Sequence, residues 1–125
     1  MIIGIDVVFL HIRNPKMMVR WYKEKLGLEI GFQTPDLSWQ EFDLPPTRPP
    51  TRFALDYPAS DLSIVEKQPI VISFKVLNIY KVVTELKAKG IKFFGSPVIQ
   101  DVGPSLYATF QDPEGNWLQI SQRKK

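Results

Sequence analysis

Apolar positions along this chain switch between helical and strand periods, and the switches mark out its elements. Met18, Trp21, Tyr22 and Leu26 recur at helical spacing and give one apolar face. Asn14 before Pro15 predicts a cap with proline at the first helical position, and Gly27 predicts the stop. A second stripe, Ile79, Val82, Val83 and Leu86, follows Asn78 as a cap and stops at Gly90. The two helices lie about half a chain apart, and strand-like stretches surround both in the same order. Ile2 to Arg13 precedes the first helix, with Leu28 to Gln33, Ser38 to Leu44 and Arg52 to Tyr57 after it. Ile70 to Val76 precedes the second, with Ile91 to Ile99, Leu106 to Gln111 and Trp117 to Gln122 after it.

Each half therefore reads β-α-β-β-β. This predicts an α+β chain of two tandem βαβββ modules, 1–57 and 70–125, joined by a linker over 58–69. Leu44 to Thr51 is too rich in proline for a central strand and reads as an irregular loop. A four-stranded sheet with one helix on its back leaves its other face uncovered. The two modules are expected to form a curved mixed sheet around a concave cleft.

Composition narrows the chemistry. With 125 residues, 44% of them hydrophobic, the chain can build a real core. No apolar run approaches the roughly 18 residues of a membrane span, and Met1 to Asp6 lacks the charged and apolar regions of a signal peptide, so no membrane partner and a cytoplasmic address are expected. Zero cysteines exclude disulfides, thiolate zinc sites and cysteine nucleophiles. The net charge of +3 comes from bases interleaved with acids, and the single basic cluster, Arg123 to Lys125, reads as a solvated tail. Nucleic acid is not expected as a partner.

The pattern of motifs resembles a known family. "NPKMMVRWYKEKLGLEI", Asn14 to Ile30, and the turn in "FQDPEGNWLQI", Phe110 to Ile120, are similar to marks of the vicinal oxygen chelate superfamily, which includes glyoxalase I, extradiol dioxygenases and bleomycin resistance proteins. Its metal-binding members hold a divalent ion with His or Glu side chains from the first and last strand of each half. The resemblance carries those four positions onto Val7, the neighbourhood of Ala54, Val71 and Gln119. Three are aliphatic and one is a neutral amide, so no metal and no other cofactor is expected.

With the metal positions filled this way, the concave face reads as a ligand pocket. Alternation from Val7 turns Phe9 and His11 toward it. Arg52 and Asp56 flank Ala54, and Tyr107, Trp117 and Gln119 share the inner side of the closing hairpin. Phe9, His11, Arg52, Asp56, Tyr107, Trp117 and Gln119 are the candidate ligand-binding residues. His11, the one histidine, and Asp56 are also candidates for moving a proton, since imidazole titrates near neutrality. Duller roles stay open: Asp56 can start a turn before Tyr57-Pro58, and Arg52 either pairs with Asp56 or meets an anionic ligand. Trp39 either caps the pocket or packs at an edge.

The resemblance implies a homodimer that captures a small organic molecule, and the basic chain favours a neutral or anionic one. Alternatives on the same fold are a metal-dependent lyase, isomerase or dioxygenase of the glyoxalase type, and a metal-independent enzyme.

Overall fold

The computed structural model describes residues 7–44, 51–58, 70–103 and 105–124. The first strand's start at Ile2, most of the proline-rich loop and the linker beyond residue 58 lie outside them. The elements are β1 (Val7–His11), α1 (Pro15–Leu26), β2 (Glu29–Gln33), β3 (Trp39–Leu44), β4 (Thr51–Asp56), β5 (Ile72–Lys75), α2 (Ile79–Ala88), β6 (Phe93–Phe94), β7 (Gln100–Asp101), β8 (Ser105–Gln111) and β9 (Trp117–Arg123). They divide into two compact units, Met1–Lys67 and Gln68–Lys125. The fold is α+β, with one mixed sheet in each unit.

In the first unit the strand order is β1-β4-β3-β2, with β1 parallel to β4 and the other pairs antiparallel. Proline at its start and Gly27 at its end delimit α1. At φ 69° Gly27 occupies the left-handed region that suits a residue without Cβ, and its N–H closes onto the Tyr22 carbonyl. Asn14 departs from expectation, since its side chain makes no capping hydrogen bond to the helix. A residue before proline is pushed away from helical geometry, and at ψ 82° the Asn14 side chain is not placed as a cap; its carbonyl still accepts from Met18 N–H at 3.0 Å. The buried face of α1 carries Met18 and Tyr22. The Tyr22 ring lies 5.1 Å from Phe53 and 6.1 Å from Phe42, and Leu10, Ile12 and Leu55 complete this core. Burying each such side chain is worth about 1.5–3 kcal/mol.

In the second unit β5 runs parallel to β9, and β9 pairs antiparallel with β8. Asn78 does cap α2, accepting from Lys81 N–H at 3.2 Å. Ile79, Val83 and Leu86 of α2 are buried, as are Ala108, Phe110, Leu118 and Ile120 of the sheet. Gln122, in phase with Leu118 and Ile120, accepts from Ile79 N–H at 2.8 Å, which ties the helix start to the same side of β9. The expected strand from Ile91 to Ile99 is broken. Only Phe93–Phe94 and Gln100–Asp101 pair, each with β8. Gly95 at φ 105° turns the chain out of strand geometry, and Pro97 has no N–H for a ladder. Of the basic residues expected as a solvated tail, Arg123 belongs to β9, and Lys124 Nζ meets both carboxylate oxygens of Asp101 at 2.6 and 2.7 Å. Among the described residues no helix is long and apolar enough to cross a membrane.

Candidate functional site

Strand alternation gives each sheet a second face, turned away from its helix. On the first sheet the register lines up three rows of side chains on that face. His11 stands beside Asp56 and Asp56 beside Trp39; Phe9 stands beside Ala54 and Ala54 beside Glu41; Val7 stands beside Arg52 and Arg52 beside Asp43. Four of the candidates from sequence, Phe9, His11, Arg52 and Asp56, therefore share one surface.

Their contacts are specific. His11 Nδ1 lies 2.9 Å from Asp56 Oδ2, with the two side chains 35% and 27% exposed. An ionised carboxylate can only accept, so Nδ1 carries the hydrogen. Asp56 thus holds the imidazole. The Phe9 ring stands edge-on to His11 at 5.6 Å and to Trp39 at 5.1 Å, yet Phe9 is 45% exposed. Such tilted pairs match the positive edge of one ring to the negative face of the other. Trp39 donates its indole N–H to Glu41 Oε2 at 2.8 Å, and Arg52 Nε lies 3.6 Å from Glu41 Oε1. Arg52 therefore pairs across strands with Glu41, while Asp56 is taken by His11. Glu41 was not among the sequence candidates. Its parity with Trp39 was visible, but its place beside Ala54 depends on how β3 meets β4, and the proline-rich stretch between them carries no turn signal that fixes a register.

On the second sheet the corresponding face carries Ser73 and Lys75 of β5, Tyr107 and Thr109 of β8, and Trp117, Gln119 and Ser121 of β9. Parity within the hairpin placed Tyr107, Trp117 and Gln119 together, and the register agrees. Gln119 Nε2 donates to Thr109 Oγ1 at 3.4 Å, Ser73 Oγ to Ser121 Oγ at 2.9 Å, and Trp117 packs against Phe94 at 4.9 Å between ring centroids. The hairpin turn that sets this register is held by Asp112, whose Oδ1 accepts from the N–H groups of Glu114 and Asn116, both at 2.9 Å.

The family model described as the Glyoxalase/Bleomycin resistance protein/Dioxygenase superfamily matches residues 4–120. The chain belongs to this superfamily. Solved structures agree in fold. A putative glyoxalase family protein from Bacillus anthracis is 19% identical with a TM-score of 0.78, over 99% of this chain and 98% of that one. TnmS3, an antibiotic binding protein from Streptomyces sp. CB03234, is 15% identical with a TM-score of 0.76, over 98% of both chains. An integron cassette protein from the mobile metagenome of the Halifax Harbour sewage outfall is 24% identical with a TM-score of 0.75, over 97% and 99%. No match is found among curated proteins.

The metal that some superfamily members carry can be tested against the residues present. The resemblance carries the metal positions onto Val7, the neighbourhood of Ala54, Val71 and Gln119; Ala54 is fully buried, Val71 is 46% exposed just before β5, and the Gln119 amide is turned to Thr109. Aliphatic groups offer no lone pair, and one carboxamide oxygen is a weak donor on its own. Among the described residues no three His, Asp or Glu side chains come together in a way that could hold an ion. Among the described residues, the groups at these positions do not fit a metal's donor set.

Proposed function

We propose that this protein binds a small organic molecule, neutral or anionic, without a metal ion, on the face of the first sheet turned away from α1. One observation carries the reading: the half-exposed Phe9 ring, braced by Trp39 and His11, stands on a face whose metal positions offer aliphatic groups. Exposed aromatic surface with a few fixed polar groups is the usual composition of a small-molecule site. Phe9 offers apolar contact, while His11, Asp56 and Arg52 supply polar anchors. On the second unit's corresponding face, Tyr107, Trp117 and Gln119 are assigned ligand contact of the same kind. The antibiotic-binding description of TnmS3, a protein of the same fold, supports capture over turnover. The net charge of +3 supports a neutral or anionic ligand over a cationic one. A cytoplasmic homodimer belongs to the same proposal, and sedimentation equilibrium of the purified protein tests the dimer.

Metal loading tests the central point. After incubation with zinc, nickel, manganese or ferrous ions and dialysis, elemental analysis is expected to find no stoichiometric ion and the melting temperature to stay unchanged. Small aromatic acids and neutral aromatics, screened by melting, are expected to include compounds that raise the midpoint, because a ligand binding the native state stabilises it by mass action. A stoichiometric ion that raises the melting temperature and is removed by chelator would replace capture with metal chemistry.

A further inference from the structure

Among the described residues, the hydrogen bond that engages His11 is the one at Nδ1, which leaves Nε2 without a partner. The ring nitrogen opposite an orienting carboxylate is the one able to accept a proton, and the two-residue arrangement holds it in one tautomer. Beside it stands Phe9, in contact with the imidazole and open over nearly half its surface. A polar acceptor at the edge of an apolar shelf is suited to a flat molecule with one acidic hydrogen on its rim. From this we infer that His11 and Asp56 form a proton-accepting pair, and that the ligand is a planar weak acid, a phenol, enol or acidic heterocycle, taken as its conjugate base. The inference rests on the capture reading above and specifies its ligand class.

The step balances without a further reactant. The ligand's O–H or N–H bond breaks, its electron pair stays on the ligand, and a new N–H bond forms at His11 Nε2. The resulting imidazolium faces the Asp56 carboxylate through Nδ1 and the ligand anion through Nε2. Release reverses the transfer, so no net chemistry follows. Trp39 and Glu41 act one remove away: the indole N–H is committed to Glu41, so it does not compete with His11 for the ligand's oxygen. Arg52, beside Glu41, lies in the next row but one from His11 and reaches the anion only if the ligand spans that distance.

4-Nitrophenol is a suitable probe, because its anion is yellow and its acidity is close to that of imidazole; 4-nitroanisole has the same ring and no acidic hydrogen. Titration of the full chain just below neutrality, followed by absorbance and by tryptophan quenching, is expected to show two things. The phenol binds about tenfold more tightly than its methyl ether, the size expected for one charge-assisted hydrogen bond, and its yellow absorbance grows on binding. His11→Phe keeps a ring beside Phe9; it is expected to bind both probes alike and to show no colour change. Asp56→Asn is expected to reduce the colour change and to narrow the preference for the phenol over its ether, since the carboxamide oxygen of that variant can still accept from Nδ1 but carries no charge to face the imidazolium. Equal binding of phenol and ether to the unaltered protein, without colour, overturns the proton-accepting pair but leaves the capture surface standing. Failure of both probes to bind at millimolar concentration overturns both readings.

Discussion

A single substitution in the turn at Asp112 should have a large effect on the second sheet. Asp112 is 4% exposed and Asn116 9%, so the hydrogen bonds between them are shielded from water. Asp112 Oδ1 accepts two backbone N–H groups at 2.9 Å, and Oδ2 accepts the Asn116 side-chain amide at 2.8 Å. In Asp112→Ala the Asn116 N–H and its amide lose their acceptor while buried. Each orphaned buried donor costs about 1–3 kcal/mol, and the less buried Glu114 N–H less than that, so the total should be about 3–5 kcal/mol. Asp112→Asn keeps an oxygen for the two backbone donors but sets an NH2 group against the Asn116 NH2, for a loss of about 1.5–2.5 kcal/mol. Adding Asn116→Asp reverses the polarity of that contact and should recover about 1 kcal/mol. Urea titrations followed by tryptophan fluorescence and circular dichroism measure all three. A loss below about 1 kcal/mol for Asp112→Ala, or equal losses for alanine and asparagine, would refute the assignment of stability to the carboxylate. The turn matters to the site because it aligns Gln111 with Trp117 and so Thr109 with Gln119. A slip of one residue would send Gln119 to the helix side.

Two further outcomes follow from the same reasoning. Gln40 is fully buried and neither end of its amide has a protein partner among the described residues, so Gln40→Met, of similar shape, should stabilise the first unit by about 1–3 kcal/mol in urea titration, and a net loss would show that the amide is satisfied after all. The Lys124 ammonium, followed by the Gly103 N–H, holds the Asp101 carboxyl below its ordinary 3.8. A depressed folded value stabilises the fold above the ordinary value, and that contribution is lost as pH falls through the folded one. In an NMR titration, Lys124→Gln should move the Asp101 midpoint up toward 3.8, and an unmoved midpoint would contradict the pairing.

Local chemistry was readable from the chain. Pro15, Gly27 and Asn78 delimit helices through backbone geometry that any neighbourhood would impose, and period-two alternation assigns a side to each strand residue. That is why Phe9 and His11, Arg52 and Asp56, and Tyr107, Trp117 and Gln119 could be sorted onto faces before any partner was known. The late Asp-Pro-Glu-Gly-Asn turn carried enough of its own hydrogen bonding to set its hairpin register and to point to the superfamily.

Partners across the sheet were not readable, because register between strands far apart in the chain is chosen by the fit of whole faces. Only the folded sheet brings Asp56 to His11, gives Arg52 to Glu41 and brings Trp39 up against Phe9. Ile91 to Ile99 reads as one strand by composition, but Gly95 and Pro97 break it, so the edge of β8 is shared by two short pieces. Which way a side chain faces depends on neighbours one or two positions along, and the order of residues is enough to assign it. Which side chains meet depends on close packing between distant segments, and that is settled only when the sheets have formed.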